Sequence, residues 1–452
     1  MLVLYLPGLG GVGLLGPDEP RYVSIGREMA RSGDWITPRL DGEPWFEKPP
    51  LLYWMVAAGR LMRLPDEWAA RLPVALASIA FLIFFFRVVM REFSERTAVV
   101  ATAILATSVG WLAYSFAALT DLPMSAALSG ALFLAIFDPR RSRGYQAGAW
   151  LGVSVLAKGL VPLVLFVPAL LVARGKRWAM IAACVAVAAP WYVLCWVRNG
   201  PAFWNDFFWK QHVERFFSPA LEHAQPLWYY IPVILAGLFP WTPLAALLLR
   251  HKTYEDARVR FLTAWLLFGF LFFSVARNKL PGYLLPLMPA LAIVLAVAVE
   301  KAKGAQWWLA VCGLLLVALP SIAAVLPEAL LAGMGKTPLV FRSGLYFAAA
   351  APVAWWLARK GNSSPAVLAI AVAVIGGVVY VKRTTFPMLD DRVSVRAFWR
   401  ANQTRAAEAC LDNVRRDWVY GLNYYAGHAL AECGAASRSR IVVRDGKLAL
   451  VE

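Results

Sequence analysis

Long apolar stretches recur along nearly the whole chain and constrain its fold more than any other feature. A stretch of about 18 or more apolar residues with few charges is long enough to cross the hydrocarbon core of a bilayer as a helix. The chain is 60% hydrophobic and 16% charged, whereas soluble domains are about 45–50% apolar and about 25% charged. The sequence therefore predicts an all-α polytopic membrane protein.

The apolar stretches and the basic residues between them predict about 13 transmembrane helices. The stretch 146–173 counts as two, because basic clusters at 140–143 and 174–177 flank it. Short basic loops stay on the cytoplasmic side, so we interpret this stretch as a hairpin with Lys158 at its tip. The other spans are expected at 2–16, 69–89, 97–117, 124–137, 180–197, 227–249, 261–275, 283–299, 307–326, a segment ending at Leu357, and 365–381.

Two regions are expected outside the spans on the extracytoplasmic side. Residues 1–383 are predicted to form the transmembrane domain, with a large first loop at 17–50 and an interfacial helix at 51–64. Residues 384–452 are more polar and predict a small α/β domain. An odd number of spans places the N-terminus in the cytoplasm and the C-terminus outside. The first apolar stretch is short for a span, so we expect its helix to be clipped.

The net charge of +17 indicates which ligands to expect. Cytoplasmic loops that follow the positive-inside rule account for most of it, and the remainder is available for anionic ligands. Nucleic acid is not an expected partner, because the basic residues form no single stripe. Five cysteines are too few and too dispersed for a metal cluster. No metal site is predicted, although a divalent cation is left open as a cofactor.

The first loop departs from the positive-inside rule, because it is expected outside and yet is rich in charge. A binding site for an anionic lipid head group would explain this, and so would the solvation of a long loop. The charged residues concerned are Asp18, Glu19, Arg21, Arg27, Glu28, Arg31, Asp34, Arg39, Asp41, Glu43, Glu47 and Lys48.

Five residues have two open roles when judged from the residues alone. Asp18 and Asp121 stand where helices begin, so each could be an N-cap. Backbone donors at a cap also keep a carboxylate ionised, which suits a catalytic base. Lys48, Arg277 and Lys279 lie at membrane boundaries. There they could extend their charge toward water or bind phosphate oxygens.

The run Asp18–Trp54 (DEPRYVSIGREMARSGDWITPRLDGEPWFEKPPLLYW) resembles the first periplasmic loop of the ArnT-like transferases. These are GT-C membrane glycosyltransferases related to protein O-mannosyltransferases, and their founding activity moves aminoarabinose from undecaprenyl phosphate to lipid A. The run is long and specific, whereas the later matches are individually weak. Those matches are Glu67–Pro73, Thr120-Asp121, Leu156–Val161, Trp209–Phe216, Trp228–Thr242 and Lys279–Pro286.

The resemblance implies a GT-C fold and transfer of a sugar from a polyprenyl-phosphate donor to a lipid or glycan acceptor. The implied location is the periplasmic face of a bacterial inner membrane, with membrane lipids around the spans. Trp45 stands where aminoarabinose transferases usually carry tyrosine. The C-terminal domain is also shorter than theirs, so the sugar and the acceptor stay open.

Site residues follow from the same resemblance. Asp18 matches the essential first-loop aspartate and would deprotonate or orient the acceptor, while Glu47 and Asp121 match acidic residues of the same cavity. Together with the two cations of the later loop, the residues expected to bind the donor phosphate are Arg21, Lys48, Arg277, Lys279 and Tyr283.

Two other functions stay open. A protein O-glycosyltransferase would use the same donor class on protein hydroxyls. A flippase or transporter of lipid-linked glycans would place charged residues at mid-span and use discontinuous helices in repeated halves. In this chain the charges gather in the first loop and at the ends of spans, which favours an enzyme.

Cys410 and Cys433 are the only cysteines of the 384–452 segment. This segment is expected in an oxidising compartment, where disulfides persist. A small domain has a small core and gains from a covalent link. We therefore expect a disulfide, with two free thiols as the alternative, and aromatic residues packed beneath it. Those residues are Trp418, Tyr420, Tyr424 and Tyr425.

Overall fold

A computed structural model describes residues 1–137, 142–214, 225–333, 337–338, 340–434 and 439–451. This part of the chain is mostly helical. It has six helices that are long and apolar enough to cross a membrane, or up to eight if each of two bent pairs is one span. The prediction of an α-helical polytopic membrane protein is confirmed, although several predicted spans are short or broken.

The helices and strands are numbered in chain order. The helices are α1 (Leu2–Tyr5), α2 (Asp18–Ser32), α3 (Leu51–Leu61), α4 (Asp66–Glu92), α5 (Glu95–Thr107), α6 (Val109–Ser115), α7 (Asp121–Phe137), α8 (Ser142–Lys158), α9 (Val161–Val172), α10 (Arg177–Phe203), α11 (Tyr230–Gly237), α12 (Ala257–Val275), α13 (Met288–Lys301), α14 (Ala305–Leu315), α15 (Leu319–Ala332), α16 (Ala350–Ala358), α17 (Ser364–Thr384), α18 (Phe386–Arg392), α19 (Arg396–Ala406) and α20 (Arg416–Ala426). The strands are β1 (Arg39–Leu40), β2 (Glu43–Pro44), β3 (Cys410–Leu411), β4 (Arg440–Arg444) and β5 (Lys447–Val451).

The predicted span at 227–249 is sharply bent. Helix α11 and the 3-10 turns Thr242–Leu249 meet at 118°. Pro240 and Pro243 lie at this bend, and proline has no N–H to continue a helix. The predicted span at 97–117 is also broken, since α5 and α6 meet at 61°. The two bends pair with each other, since the N–H of Val109 donates to the carbonyl of Phe239 over 3.0 Å, which satisfies backbone groups that a straight helix would pair internally.

The predicted loop 198–226 is partly helical. Helix α10 continues to Phe203, and π-helical turns follow at Trp204–Glu214. Residues 215–224 lie outside the described residues. The first predicted span is also wrong in its form, since α1 ends at Tyr5 and the next helix begins at Asp18.

Helices α8 and α9 run in opposite directions, as the hairpin predicted at 146–173 requires. Helix α8 runs beside α7, and Lys158 at its end reaches Asp121 at the start of α7. Helix α9 then runs back toward the other end of α7. Lys176, which follows α9, donates to the carbonyl of Ala135 near the end of α7 (2.8 Å). The start of α8 also lies close to the residues after α9, since a Cβ on Gly144 would lie 3.0 Å from the Cβ of Lys176. Arg140 and Arg141 of the preceding cluster lie outside the described residues.

The segment after α17 combines helices with a small sheet. Its three strands lie in the order β3-β4-β5, with β3 parallel to β4 and β4 antiparallel to β5. Trp399, Trp418 and Ile441 are buried together in its core. A disulfide joins Cys410 to Cys433, with their Cα atoms 4.9 Å apart. The neighbouring helix α20 packs against α2 of the first loop, which brings this segment to the predicted site.

Candidate active site

Glu19 fixes the start of α2 through a buried ion pair with Arg71 of α4. The Arg71 Nε and Nη2 atoms donate to the two carboxylate oxygens of Glu19, each over 2.7 Å. The same carboxylate accepts from the backbone N–H groups of Leu15 (2.8 Å) and Ala118 (2.9 Å). A bidentate pair with further hydrogen bonds offsets the desolvation of both charges. Glu19 therefore has a structural role beside Asp18.

Asp18 does not cap its helix by a side-chain hydrogen bond. It is the first residue of α2, Pro17 occupies the N-cap position, and no side-chain cap bond forms. Its carboxylate instead pairs with Arg21 one turn later and keeps 42% of its side chain exposed. Asp18 therefore presents an accessible carboxylate beside a cation, as a base that meets a substrate requires.

Arg21, Glu47 and Lys48 form a chain of charges beside Asp18. Arg21 Nη2 lies 3.0 Å from one Glu47 oxygen, and Lys48 Nζ lies 3.1 Å from the other. All three side chains are at least 88% buried. Burial alone would lower the pKa of Arg21, but Glu47, Tyr22 and Asp18 raise it above its ordinary value. The guanidinium is therefore a permanent cation in a largely enclosed place.

Aromatic rings surround this cation. The Arg21 guanidinium carbon lies 5.4 Å from the ring centre of Tyr22, 5.6 Å from Trp45 and 5.4 Å from Tyr420. Within the described part of the chain, Arg21 Nε, Trp45 Nε1 and the Tyr53 hydroxyl are buried without a hydrogen-bond partner. Buried donors normally have partners, and the oxygens of an anionic ligand are suitable ones.

Asp121 lies in a second group of charges at the start of α7. It pairs with Lys158, whose Nζ lies 5.0 Å from the ring centre of Tyr283. Gly282 lets these groups approach, since a Cβ there would lie 2.5 Å from Asp121 Oδ1 and 2.6 Å from the Tyr114 hydroxyl. The N–H of Ala118, three residues before Asp121, donates to Glu19 beside Asp18 over 2.9 Å, so the two groups of charges are neighbours.

Arg277 and Lys279 are placed differently from the other predicted phosphate-binding residues. Lys279 is buried and donates to the carbonyls of Ala276 (2.6 Å) and Gln225 (2.9 Å). Burial lowers its pKa. Arg277 is exposed. Lys279 therefore has a visible structural role, and its phosphate contact stays a prediction, as does that of Arg277.

Among the described residues, no group of three or more His, Cys, Asp or Glu side chains is arranged to hold a metal ion. Glu47, the most enclosed carboxylate of the predicted site, lies between Arg21 and Lys48. Two cations at these distances disfavour a third cation beside it.

Sequence reasoning missed several residues of this site. The sequence predicts Lys158 only as a hairpin tip, although a lysine between apolar stretches already signals a functional position. It does not predict the pair of Glu19 and Arg71, because no local pattern pairs residues 52 positions apart. It predicts Tyr420 beneath the disulfide, whereas this residue lies against Arg21. Only the packing of α20 on α2 reveals that contact.

Comparisons with known proteins agree with this architecture. Residues 47–198 match the family described as dolichyl-phosphate-mannose-protein mannosyltransferase. An undecaprenyl phosphate-alpha-4-amino-4-deoxy-L-arabinose arabinosyl transferase of Edwardsiella ictaluri is 35% identical over 353 residues, which are 72% of this chain and 63% of the relative. A transferase with the same name from Shewanella sediminis is 32% identical over 67% of this chain and 60% of its own length. The chain thus spans less than two thirds of the length of these relatives.

A solved structure covers more of the fold. The crystal structure of ArnT from Cupriavidus metallidurans bound to undecaprenyl phosphate aligns with a TM-score of 0.76 and 27% identity. The alignment covers 96% of this chain and 84% of that one. This chain therefore shares the fold of the ArnT structure. It is ArnT-like in both sequence and structure.

Proposed function

We propose that this protein is a glycosyltransferase that moves a sugar from a polyprenyl-phosphate donor, such as undecaprenyl phosphate, to an extracytoplasmic acceptor. The observation that carries the proposal is the enclosed cluster of Arg21, Glu47 and Lys48 beside the exposed carboxylate of Asp18. The similarity to an ArnT solved with undecaprenyl phosphate supports the donor class. Lipid A is the first candidate acceptor, and another cell-envelope glycan is the second.

The proposed reaction is an inverting displacement at the anomeric carbon. An acceptor oxygen forms a bond to that carbon, the bond from the carbon to the phosphate oxygen breaks, and polyprenyl phosphate leaves. Asp18 takes the proton of a hydroxyl acceptor or orients an acceptor that is already ionised. Arg21 and Lys48 stabilise the negative charge that grows on the leaving phosphate. The ion pair between Asp121 and Lys158 lies beside these residues.

The test uses strains that lack the gene and carry either the wild type or a variant. Mass spectrometry of lipid A and of polyprenyl-phosphate sugars should show that the deletion loses a modified acceptor and accumulates the donor. We expect Asp18→Asn to fail to restore the modification, with turnover reduced on the order of 10³-fold or more. Glu43→Gln, in the exposed strand β2 of the same loop, is the matched control and should restore it. Full activity of purified Asp18→Asn would contradict the catalytic role.

Two other functions are tested by the same measurements. Transfer to protein would leave lipid A unchanged in the deletion strain and remove sugar from envelope proteins. A flippase would leave the bond between the sugar and the lipid phosphate intact. It would change only the side of the membrane on which the lipid-linked sugar lies. The paired charges at the starts of α2 and α7 favour transfer, because they supply an acid–base group and phosphate-binding cations at one place.

The proposed topology has about 13 membrane segments, several of them short or bent, in a bacterial inner membrane. The loop 17–50 and the 384–452 segment lie in the periplasm, and the N-terminus lies in the cytoplasm. Single cysteines placed at Glu43, which is exposed in the first loop, and at Arg174 should label from opposite sides with an impermeant reagent. The background is favourable, because Cys184, Cys195 and Cys312 are buried and the other two cysteines are bonded. Labelling of both positions from one side would contradict this topology.

A further inference from the structure

Tyr420 brings the C-terminal segment into contact with the proposed phosphate site. Its ring centre lies 5.4 Å from the guanidinium carbon of Arg21. On the same helix, Arg416 lies 5.6 Å from that ring and donates to the Tyr420 hydroxyl over 3.3 Å. Tyr420 thus interacts with Arg21 through its ring and with Arg416 through both its ring and its hydroxyl.

Helix α20 is held at this position by contacts that do not involve Arg21. Arg27 of α2 donates to the carbonyl of Tyr424 over 2.5 Å and lies 4.4 Å from its ring centre. Tyr425 donates to Glu67 of α4 over 2.9 Å. These contacts fix α20 beside α2, so the ring of Tyr420 is presented to Arg21 by a supported helix.

Arg21 needs such support because its side chain is long and one of its nitrogens has no protein partner. Nε is buried without a hydrogen-bond partner among the described residues. The guanidinium must keep one plane to bind phosphate oxygens in the bidentate way that favours arginine. An aromatic ring within about 6 Å attracts the guanidinium by a cation–π interaction, which favours the position beside the ring. Tyr22 and Trp45 lie at this distance in the first loop, and Tyr420 lies at this distance on a helix far along the chain.

We propose that Tyr420 is a positioning residue that orients Arg21 for the donor phosphate, so that the C-terminal helix α20 completes the phosphate site. The inference rests on the proposed function, because it assumes that Arg21 binds the phosphate of the lipid donor. Arg416 supports Tyr420 through its hydroxyl. The ring of Tyr420 carries the effect, and the hydroxyl contributes less.

The experiment measures binding of undecaprenyl phosphate to the purified full-length protein in detergent. We expect Tyr420→Leu and Tyr420→Met, which remove the ring, to weaken binding about three- to tenfold, as expected for the loss of one cation–π contact. Tyr420→Phe keeps the ring and should bind within about twofold of the wild type. Trp418→Phe is the control on the same helix, since Trp418 is buried in the C-terminal core and donates to Val393. It should lower the unfolding temperature without changing affinity.

A double-mutant cycle decides whether Tyr420 acts through Arg21. In an Arg21→Gln background, which removes the cation that Tyr420 contacts, Tyr420→Leu should cause little further loss, because residues that act as a unit are not additive. Equal losses in both backgrounds would overturn the inference, and so would unchanged affinity in Tyr420→Leu when the wild type binds. If the wild type itself does not bind undecaprenyl phosphate, the proposed function fails and the inference fails with it.

Discussion

At the scale of single residues, two adjacent acids at the start of α2 have different roles. Glu19 is buried and its oxygens are occupied by Arg71 and two backbone N–H groups. Asp18 is partly exposed and pairs with Arg21. A fully hydrogen-bonded carboxylate holds structure, whereas an accessible carboxylate can meet a substrate. Glu19 therefore fixes the helix that places Asp18.

Glu19→Gln should destabilise the protein strongly. The amide has the same shape but removes the charge that compensates Arg71, which is 5% exposed. Breaking a buried pair by removing one partner costs on the order of 3–5 kcal/mol. Thermal unfolding in detergent should show a clearly lower midpoint. Lys447→Gln, which removes a largely exposed pair with Asp391, should leave the midpoint nearly unchanged. Equal midpoints for the two variants would contradict the structural role of Glu19.

The sequence predicted the residues that a motif carries and missed those that only packing brings together. Asp18, Arg21, Glu47 and Lys48 lie within one specific run, and the structure places them in one cluster. Their individual roles stay predictions. The contact between Arg21 and Tyr420 joins residues that are far apart in the chain. No periodicity or spacing encodes such a contact.

At the scale of elements, the site is built at the ends of helices. Asp18 begins α2, Asp121 begins α7, and Lys158 ends α8. The starts of α2 and α7 favour negative charge because free N–H groups point there. The span 281–301 begins beside this group of charges, since its first turns, the 3-10 turns Pro281–Leu287, approach Asp121 through Gly282. Hydropathy predicted that this segment is apolar but not that its first turns are 3-10.

Gly282→Ala should perturb the site without unfolding the protein. A Cβ at this position would lie 2.5 Å from Asp121 Oδ1, which is closer than side chains approach. The carboxylate or the 3-10 turn must therefore move, and turnover should fall by about tenfold or more, as a misplacement of about 1 Å commonly causes. Gly376→Ala in α17 is the matched control, because nothing lies within 4 Å of its Cβ position. A wild-type rate for purified Gly282→Ala would show that this close approach has no part in the reaction.

At the scale of the whole molecule, ionic contacts join the C-terminal segment to the first part of the chain. Arg396 lies 3.0 Å from Glu67 of α4 and 2.9 Å from Asp390. Its guanidinium also donates to the carbonyl of Gly10 over 2.8 Å. These side chains are largely buried, so their pairing matters more than that of surface ion pairs. The domain boundary between residues 383 and 384 stays a prediction, and the contacts across it could not be predicted from composition.

The disulfide between Cys410 and Cys433 stabilises this segment separately from those contacts. It closes a loop with a sequence separation of 23, which on the chain-entropy model contributes roughly 3 kcal/mol. Cys433→Ser should therefore lower the thermal midpoint, and a reductant should lower it for the wild type but not for the variant. Turnover should change less, because Arg27 and Glu67 still hold α20 beside α2 through Tyr424 and Tyr425. A variant that keeps its midpoint but loses turnover would show that the bridge acts on the site and not on the stability of the segment.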